Sequence, residues 1–323
     1  MLIVLFVAAV VAANAPNPSQ PAAEPQVFAP GVISGPADVD AATFAPDGRT
    51  VYFDRLEGDR SRIVVSRLRD GVWSAPQTAP FSGVWSDKDP AMAPDGSFMI
   101  FDSNRPASPG GKALDLVRAD GSIRPGQGNQ LWRVDRKGSG WGDPARLPDA
   151  VNDGTRLFSP SVVGDGSIYF QRPDPASRTF HIVRAPYHAG RYAAPEPVVI
   201  GPASADERDP AVAPDESFMV FSANYGPKGQ ANRLYISFRQ DGHWDEPIDL
   251  GDKVNHDGAE GPHLGAGASS VYFDSTAPTS EGEAGGISRI WWLGLAPWLA
   301  VRSNPDQRVK VRAQPPELPG GRK

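Results

Sequence analysis

Ala93-Pro94-Asp95-Gly96-Ser97-Phe98-Met99-Ile100-Phe101 is a tight turn running straight into an apolar stretch, and the chain repeats the phrase. Ala45-Pro46-Asp47-Gly48 leads into Val51-Tyr52-Phe53, and Gly164-Asp165-Gly166 into Ile168-Tyr169-Phe170. Ala213-Pro214-Asp215-Glu216 leads into Met219-Val220-Phe221, and a worn copy, Gly265-Ala266-Gly267, into Val271-Tyr272-Phe273. Pro presets φ at the first turn position and Gly tolerates positive φ after it, so each copy reads as a turn opening a strand. Recurrence at roughly 50-residue intervals is the signature of a repeat architecture.

A second phrase, an aromatic residue, two residues, proline, then usually an aliphatic residue three places on, follows the first at variable distance. Its copies are Trp73 to Pro76, Trp141 to Pro144 with Leu147, Tyr192 to Pro195 with Val198, and Trp244 to Pro247 with Leu250. The last turn phrase has no such follower, but Val27-Phe28-Ala29-Pro30 with Ile33 stands alone near the start. Equal counts in circularly shifted order predict a ring whose last blade is closed by a strand from the other end, which leaves only short edges. Gln26 to Ile33 is therefore expected beside the segment Glu260 to Trp292. The fold class is all-β: a β-propeller of four-stranded blades, five in number, with six as the alternative.

Composition agrees. The 34 Pro and 34 Gly punctuate short apolar runs, and 8 Trp with 14 Phe supply core. No cysteine is present, which removes disulfides and thiolate chemistry. A formal charge of −6 speaks against nucleic acid, whose phosphates need a basic footprint. Leu2 to Ala13 is apolar and too short to span a bilayer, in the manner of a secretory signal. The expected organisation is a signal peptide at 1–13, a Pro/Ala-rich linker at 14–25, the propeller at 26–301, and a basic Pro/Gly-rich disordered tail at 302–323. A periplasmic or secreted monomer without stable membrane insertion follows as the expectation.

Alternating strand direction places the Pro-Asp-Gly turns and the short turns at Asp70-Gly71, Lys137 to Gly140, Ala189-Gly190 and Asp241-Gly242 on one rim. The other rim collects the long connections: Pro106 to Asn129, Arg172 to Arg178, Tyr225 to Asn232, and Thr276 to Gly286. Function concentrates on loops held by a rigid scaffold, so this rim is the expected working face. The blade connectors bring charge to it through Asp38 and Asp40, Asp87 and Asp89, Arg156, Asp206, Arg208 and Asp209, and Asp257, Glu260 and His263. Asp87, Asp89, Arg156, Asp206, Arg208, Asp209, Asp257, Glu260 and His263 are the candidate ligand-binding set. Asp40, Asp89, Asp209 and Glu260 are the carboxylates that acid–base chemistry would need. No cofactor is indicated, although such a carboxylate ring could hold a pore cation such as calcium. The same residues have a structural reading, in which Asp accepts hydrogen bonds from the neighbouring blade's backbone and Asp–Arg pairs lock blades together. The five histidines show no metal-ligand spacing, and no nucleophile elbow, phosphate loop or dinucleotide fingerprint occurs. Trp73, Trp141 and Trp244 read as outer-strand core.

Asp89 to Gly96, Asp209 to Asp215, and Phe101-Asp102-Ser103-Asn104-Arg105-Pro106 resemble the WD40-like "PD40" repeat of TolB-type β-propellers. The resemblance covers Val27 to Leu293 and implies an exported protein of the bacterial envelope, often an interaction scaffold. The chain departs from that pattern: Pro16 to Pro25 is too short for the family's additional α/β domain, and five phrases stand where six are usual. The propeller of prolyl-oligopeptidase-type peptidases is similar, without a counterpart to their hydrolase domain. Three functions follow: a non-enzymatic scaffold binding an envelope protein or cell-wall glycan, a five-bladed carbohydrate-active hydrolase, and a lectin-like sugar binder.

Overall fold

The computed structural model describes residues 24–302 except 119, 175–178, 203, 227–229, 257 and 280–284. The apolar run before Ala13, Asp257 and the basic tail after Arg302 lie outside the described residues. Five small antiparallel sheets surround one axis. Blade 1 consists of Val39–Phe44, Thr50–Glu57, Arg60–Arg69 and Gln77–Thr78. Blade 2 is Asp87–Met92, Phe98–Ser103, Gln130–Lys137 and Ala145–Arg146. Blade 3 is Phe158–Val162, Ile168–Pro173, Phe180–Ala185 and Glu196–Pro197. Blade 4 is Asp206–Val212, Phe218–Asn224, Arg233–Gln240 and Ile248–Asp249. Blade 5 is Glu260–Leu264, Ser270–Ser275 and Arg289–Gly294, completed by Gln26–Val27.

Ring closure follows the circular shift of the sequence phrases, with Gln26 opposite Trp292 and Val27 opposite Trp291. The alignment of the lone phrase differs. Phe28 donates its amide to the Ile290 carbonyl, the bond that Leu147, Val198 and Leu250 make to Leu131, Ile182 and Leu234. Phe28 therefore takes the place of those aliphatic residues, not of the tryptophans. Position in the ladder is set by this backbone pairing, and an aromatic residue near a proline is a weaker marker than the apolar slot itself.

The repeated Val-Tyr-Phe run is apolar throughout because the second strand of each blade is covered on both faces. Successive side chains alternate sides: Val51 and Phe53 pack toward blade 5, and Tyr52 between them packs toward blade 2. Five apolar clusters result, one in each interface between neighbouring blades. Phe28 completes the closing interface, edge-on to Phe44, Trp73 and Tyr272 at centroid distances of 5.7, 5.4 and 5.0 Å. Trp73 and Trp141 belong to these interfaces, and Trp141 Nε1 donates to Tyr52 Oη across blades at 3.0 Å. The outer turns Asp70-Gly71, Ala189-Gly190 and Asp241-Gly242 have positive φ at both residues, the twist that tight hairpins require.

A short helix, Ala296–Arg302, lies beyond the last strand and buries Trp298 in the interface of blades 4 and 5. Its seven residues are too few for helical periodicity to announce it. On the opposite rim blade 1 has only Gly58-Asp59 where the other blades carry long connections, and blade 2 carries an insertion with its own hairpin, Leu116–Val117 and Ile123–Arg124. No helix among the described residues is long and apolar enough to cross a membrane.

Candidate functional site

Each innermost strand breaks its register once, between Asp40 and Thr43, Lys88 and Ala91, Phe158 and Ser161, Arg208 and Ala211, and Glu260 and His263. The bulged residues are Ala41, Asp89, Ser159, Asp209 and Gly261, with φ of 57°, 51°, 51°, 50° and 59°. Four of the five are not glycine, and left-handed backbone at such residues persists only where the surroundings fix it. Here a polar residue at the end of the previous blade's Val-Tyr-Phe run fixes it. Asp54 accepts the Asp89 amide at 2.8 Å, Gln171 the Asp209 amide at 3.1 Å, Ser222 the Gly261 amide at 3.3 Å, and Asp274 the Ala41 amide at 3.2 Å. The Ser159 amide is the exception. It donates to Asp89 Oδ2 at 3.0 Å, leaving Asp102, at the equivalent position of blade 2, free of that duty.

The bulges stack two tiers of side chains around the axis. Asp40, Lys88, Phe158, Arg208 and Glu260 precede the bulges, and the five bulged residues lie beneath them. All ten line a cavity of about 520 Å³ that opens on the long-loop rim. A second mouth, on the short-turn rim, is lined by Pro46, Pro94, Pro214 and Ala266, and His263 faces both cavities.

Of the residues singled out from the sequence, Asp40, Asp89, Arg156, Arg208, Asp209, Glu260 and His263 meet in this cavity. Asp206 stands at its edge, holding Arg208 at 2.6 Å and accepting the Phe180 amide at 2.8 Å. Asp87 does not reach the cavity. It is fully buried, paired with Arg105 at 2.9 Å, and accepts the Ser82 and Ser103 hydroxyls. The bulge at Asp89 separates these two aspartates, two residues apart, into different environments.

Sequence reasoning missed Lys88, Asp54, Asp102, Asp274 and Ser159. The carboxylates at 54, 102 and 274 each follow the phenylalanine of the repeated phrase, a polar residue closing an apolar run, and that was the available signal. Burial pushes all three well above the usual carboxylate range, with repulsion from their acidic neighbours adding to it. Burial also raises Asp40, Asp209 and Glu260; Ser288 counters it at Asp40 and Ser159 at Asp209, while Asp209 adds to it at Glu260. Asp89 moves the other way. Burial would raise it, but the Lys88 ammonium, the neighbouring Asp102 carboxyl and His263 hold it low. Lys88 is in turn held up, against burial, by Asp102 and Asp89. Burial lowers His263 to about 4. Ser159 Oγ links Asp89 and Asp209 at 3.2 and 2.8 Å. No three His, Asp or Glu side chains among the described residues are grouped as a metal site.

No protein-family model matches the chain, and no curated protein matches it. Solved structures do. TolB from Acinetobacter baumannii is 14% identical over 81% of this chain, with a TM-score of 0.47, and the chain spans only 55% of that protein. A thermostable family-43 glycoside hydrolase is 11% identical over 80% of this chain and 89% of its own, with a TM-score of 0.52. An α-L-arabinofuranosidase from Podospora anserina, solved with cellotriose, is 12% identical over 84% and 97%, with a TM-score of 0.51. At these identities the likeness is one of fold alone.

Proposed function

We propose that this chain is an exported, non-enzymatic binding propeller that receives a polar group of an envelope protein or cell-wall component in the central cavity of its long-loop rim. The observation that carries this reading is the division by sign of the cavity's outer side chains, above the bulged Asp89 and Asp209. Asp40 and Glu260 come from the adjacent blades 1 and 5, whereas Lys88, Arg156 and Arg208 come from the arc of blades 2 to 4. A cavity with acceptors on one arc and cationic donors on the other orients a polar ligand without chemistry. The deeper carboxylates already hold the ring: Asp54 and Asp274 take bulge amides, and Asp89 and Asp209 share Ser159.

A specific observation favours a second reading as a carbohydrate-active hydrolase. Asp40 and Glu260 face the open cavity with both carboxyls raised, as an acid catalyst requires. One experiment separates the two. Envelope proteins and purified cell-wall fragments are offered to the wild type and to Asp40→Asn/Glu260→Gln, which keeps side-chain size. A partner held by the wild type and lost by the variant supports the binding reading, and equal retention moves the surface elsewhere. Glycan cleavage abolished in the variant replaces binding with hydrolysis.

A further inference from the structure

Beside the central cavity, on the same rim, a second hollow of about 530 Å³ lies between the blade 2 insertion and the connector entering blade 3. Arg118, Arg156 and Arg172 face it together with Asp120, Asp153 and Asp174. Arg172 is paired with Asp153 at 2.6 Å. Arg118 and Arg156 have no acidic partner among the described residues, and the buried Nε of Arg156 has no acceptor there.

The Arg156 guanidinium lies 4.9 Å from the centre of the Phe180 ring, and Arg208 lies 4.5 Å from the same ring. Arg156 lines both hollows, so Arg118, Arg156 and Arg208 make a row leading from the outer hollow into the central cavity. Burial, then repulsion from Arg118 and Arg208, lowers the pKa of Arg156, as expected of cations held together without a counter-charge. A guanidinium presents a planar fork that matches an oxyanion, and a buried N–H without an acceptor is costly.

We propose that this hollow binds the carboxylate of a sugar acid, with Arg156 and Arg118 taking the carboxylate and the acidic side chains taking hydroxyls. Three aspartates share the hollow with three arginines, so a single negative charge is accommodated where a phosphate dianion meets repulsion. Ionised aspartates are acceptors only, and hydroxyls are the donors that suit them. The site stands apart from the reading of the central cavity. Arg118 lines the hollow and not that cavity, so the two fail separately.

The test is an NMR titration of the full chain with D-glucuronate, D-glucose and inorganic phosphate, following the arginine Nε–Hε signals. Glucuronate is expected to shift the Arg156 and Arg118 signals saturably, and glucose is expected to leave them in place. Arg118→Gln, whose thermal midpoint should match the wild type, weakens glucuronate by about tenfold, the loss of one charge-assisted contact. Asp40→Asn/Glu260→Gln, confined to the central cavity, keeps glucuronate binding. The proposal is overturned if glucose shifts the same signals, if phosphate binds more tightly than glucuronate, or if Arg118→Gln binds as the wild type does.

Discussion

Replacing Asp274 separates the two things that this residue does. It is 8% exposed, both its oxygens lie 3.2 Å from the Ala41 amide, and burial with Asp40 nearby pushes its carboxyl well above the usual range. Asp274→Ala leaves the Ala41 N–H at the closing junction of blades 5 and 1 without an acceptor, a loss of about 1–3 kcal/mol. For a domain of this size that corresponds to a fall of roughly 2 °C in Tm per kcal/mol, the low end of the usual range. Asp274→Asn keeps an acceptor oxygen and cannot ionise, so it is expected within about 1 kcal/mol of the wild type at mildly acidic pH. The sign of the pH effect follows from linkage. A carboxyl whose folded pKa is raised contributes its stability below the unfolded pKa and loses it as pH rises through the folded pKa. The wild type should therefore lose stability as pH rises from mildly acidic into the neutral range, and Asp274→Asn should lose less, Asp54 and Asp102 retaining their share of the slope. Thermal melts of the three proteins across that range decide it. A wild-type Tm for Asp274→Ala, or a steeper pH dependence for Asp274→Asn, would refute the reasoning.

Phe28→Ala removes an aromatic side chain 1% exposed at the closing interface and should cost about 3–5 kcal/mol, read by denaturant unfolding. Lys88→Met should raise the pKa of Asp89, which Lys88 now holds down; carboxyl-carbon NMR titration would show no upward shift if the ammonium is irrelevant. Glu216→Gly relieves a left-handed non-glycine turn, φ 55°, but unties Tyr169, Arg184 and Arg239 from one carboxylate. A net loss of about 1–2 kcal/mol is expected, and a more stable variant would show that turn strain outweighs the network. His263, lowered to about 4 by burial, contributes stability above its unfolded pKa that is lost as pH falls through about 4. His263→Gln should remove that part of the acid limb of a pH–stability curve.

The ring and its closure were legible because every interface is built from the same apolar slot, so the five apolar runs ending in Phe53, Phe101, Phe170, Phe221 and Phe273 announce the blades. The order of phrases also announced that Gln26 to Ile33 belongs beside Trp292. The aromatic phrase was a poorer guide: Phe28 and Trp73 look alike in sequence but occupy different rungs, since backbone pairing and not residue type sets the register. The cavity was legible as a charged place but not in detail. A bulge inserts one residue into a period of two, and so decides which of Asp87 and Asp89 turns to the axis. Nothing in Ser86-Asp87-Lys88-Asp89 marks its position except Pro90 directly after it. Arg118 could not be placed, because an insertion loop's return path is set by tertiary contacts such as the Val117 amide bonding to Thr155 Oγ1.

The pairing of Gln26 with Trp292 also orders events in time. Val27 and Phe28 are made before any blade, yet the strand that receives them is made only after four blades have been synthesised. Until then blade 1 presents Phe44 and Trp73 on an unsealed side, and the growing protein is an arc with two apolar ends. Contacts this distant along a chain are slow to form and leave sticky surfaces waiting. The last blade thus works as a latch whose two halves are separated in the chain by four complete blades. Folding yield should depend on what shields Phe28 during that interval.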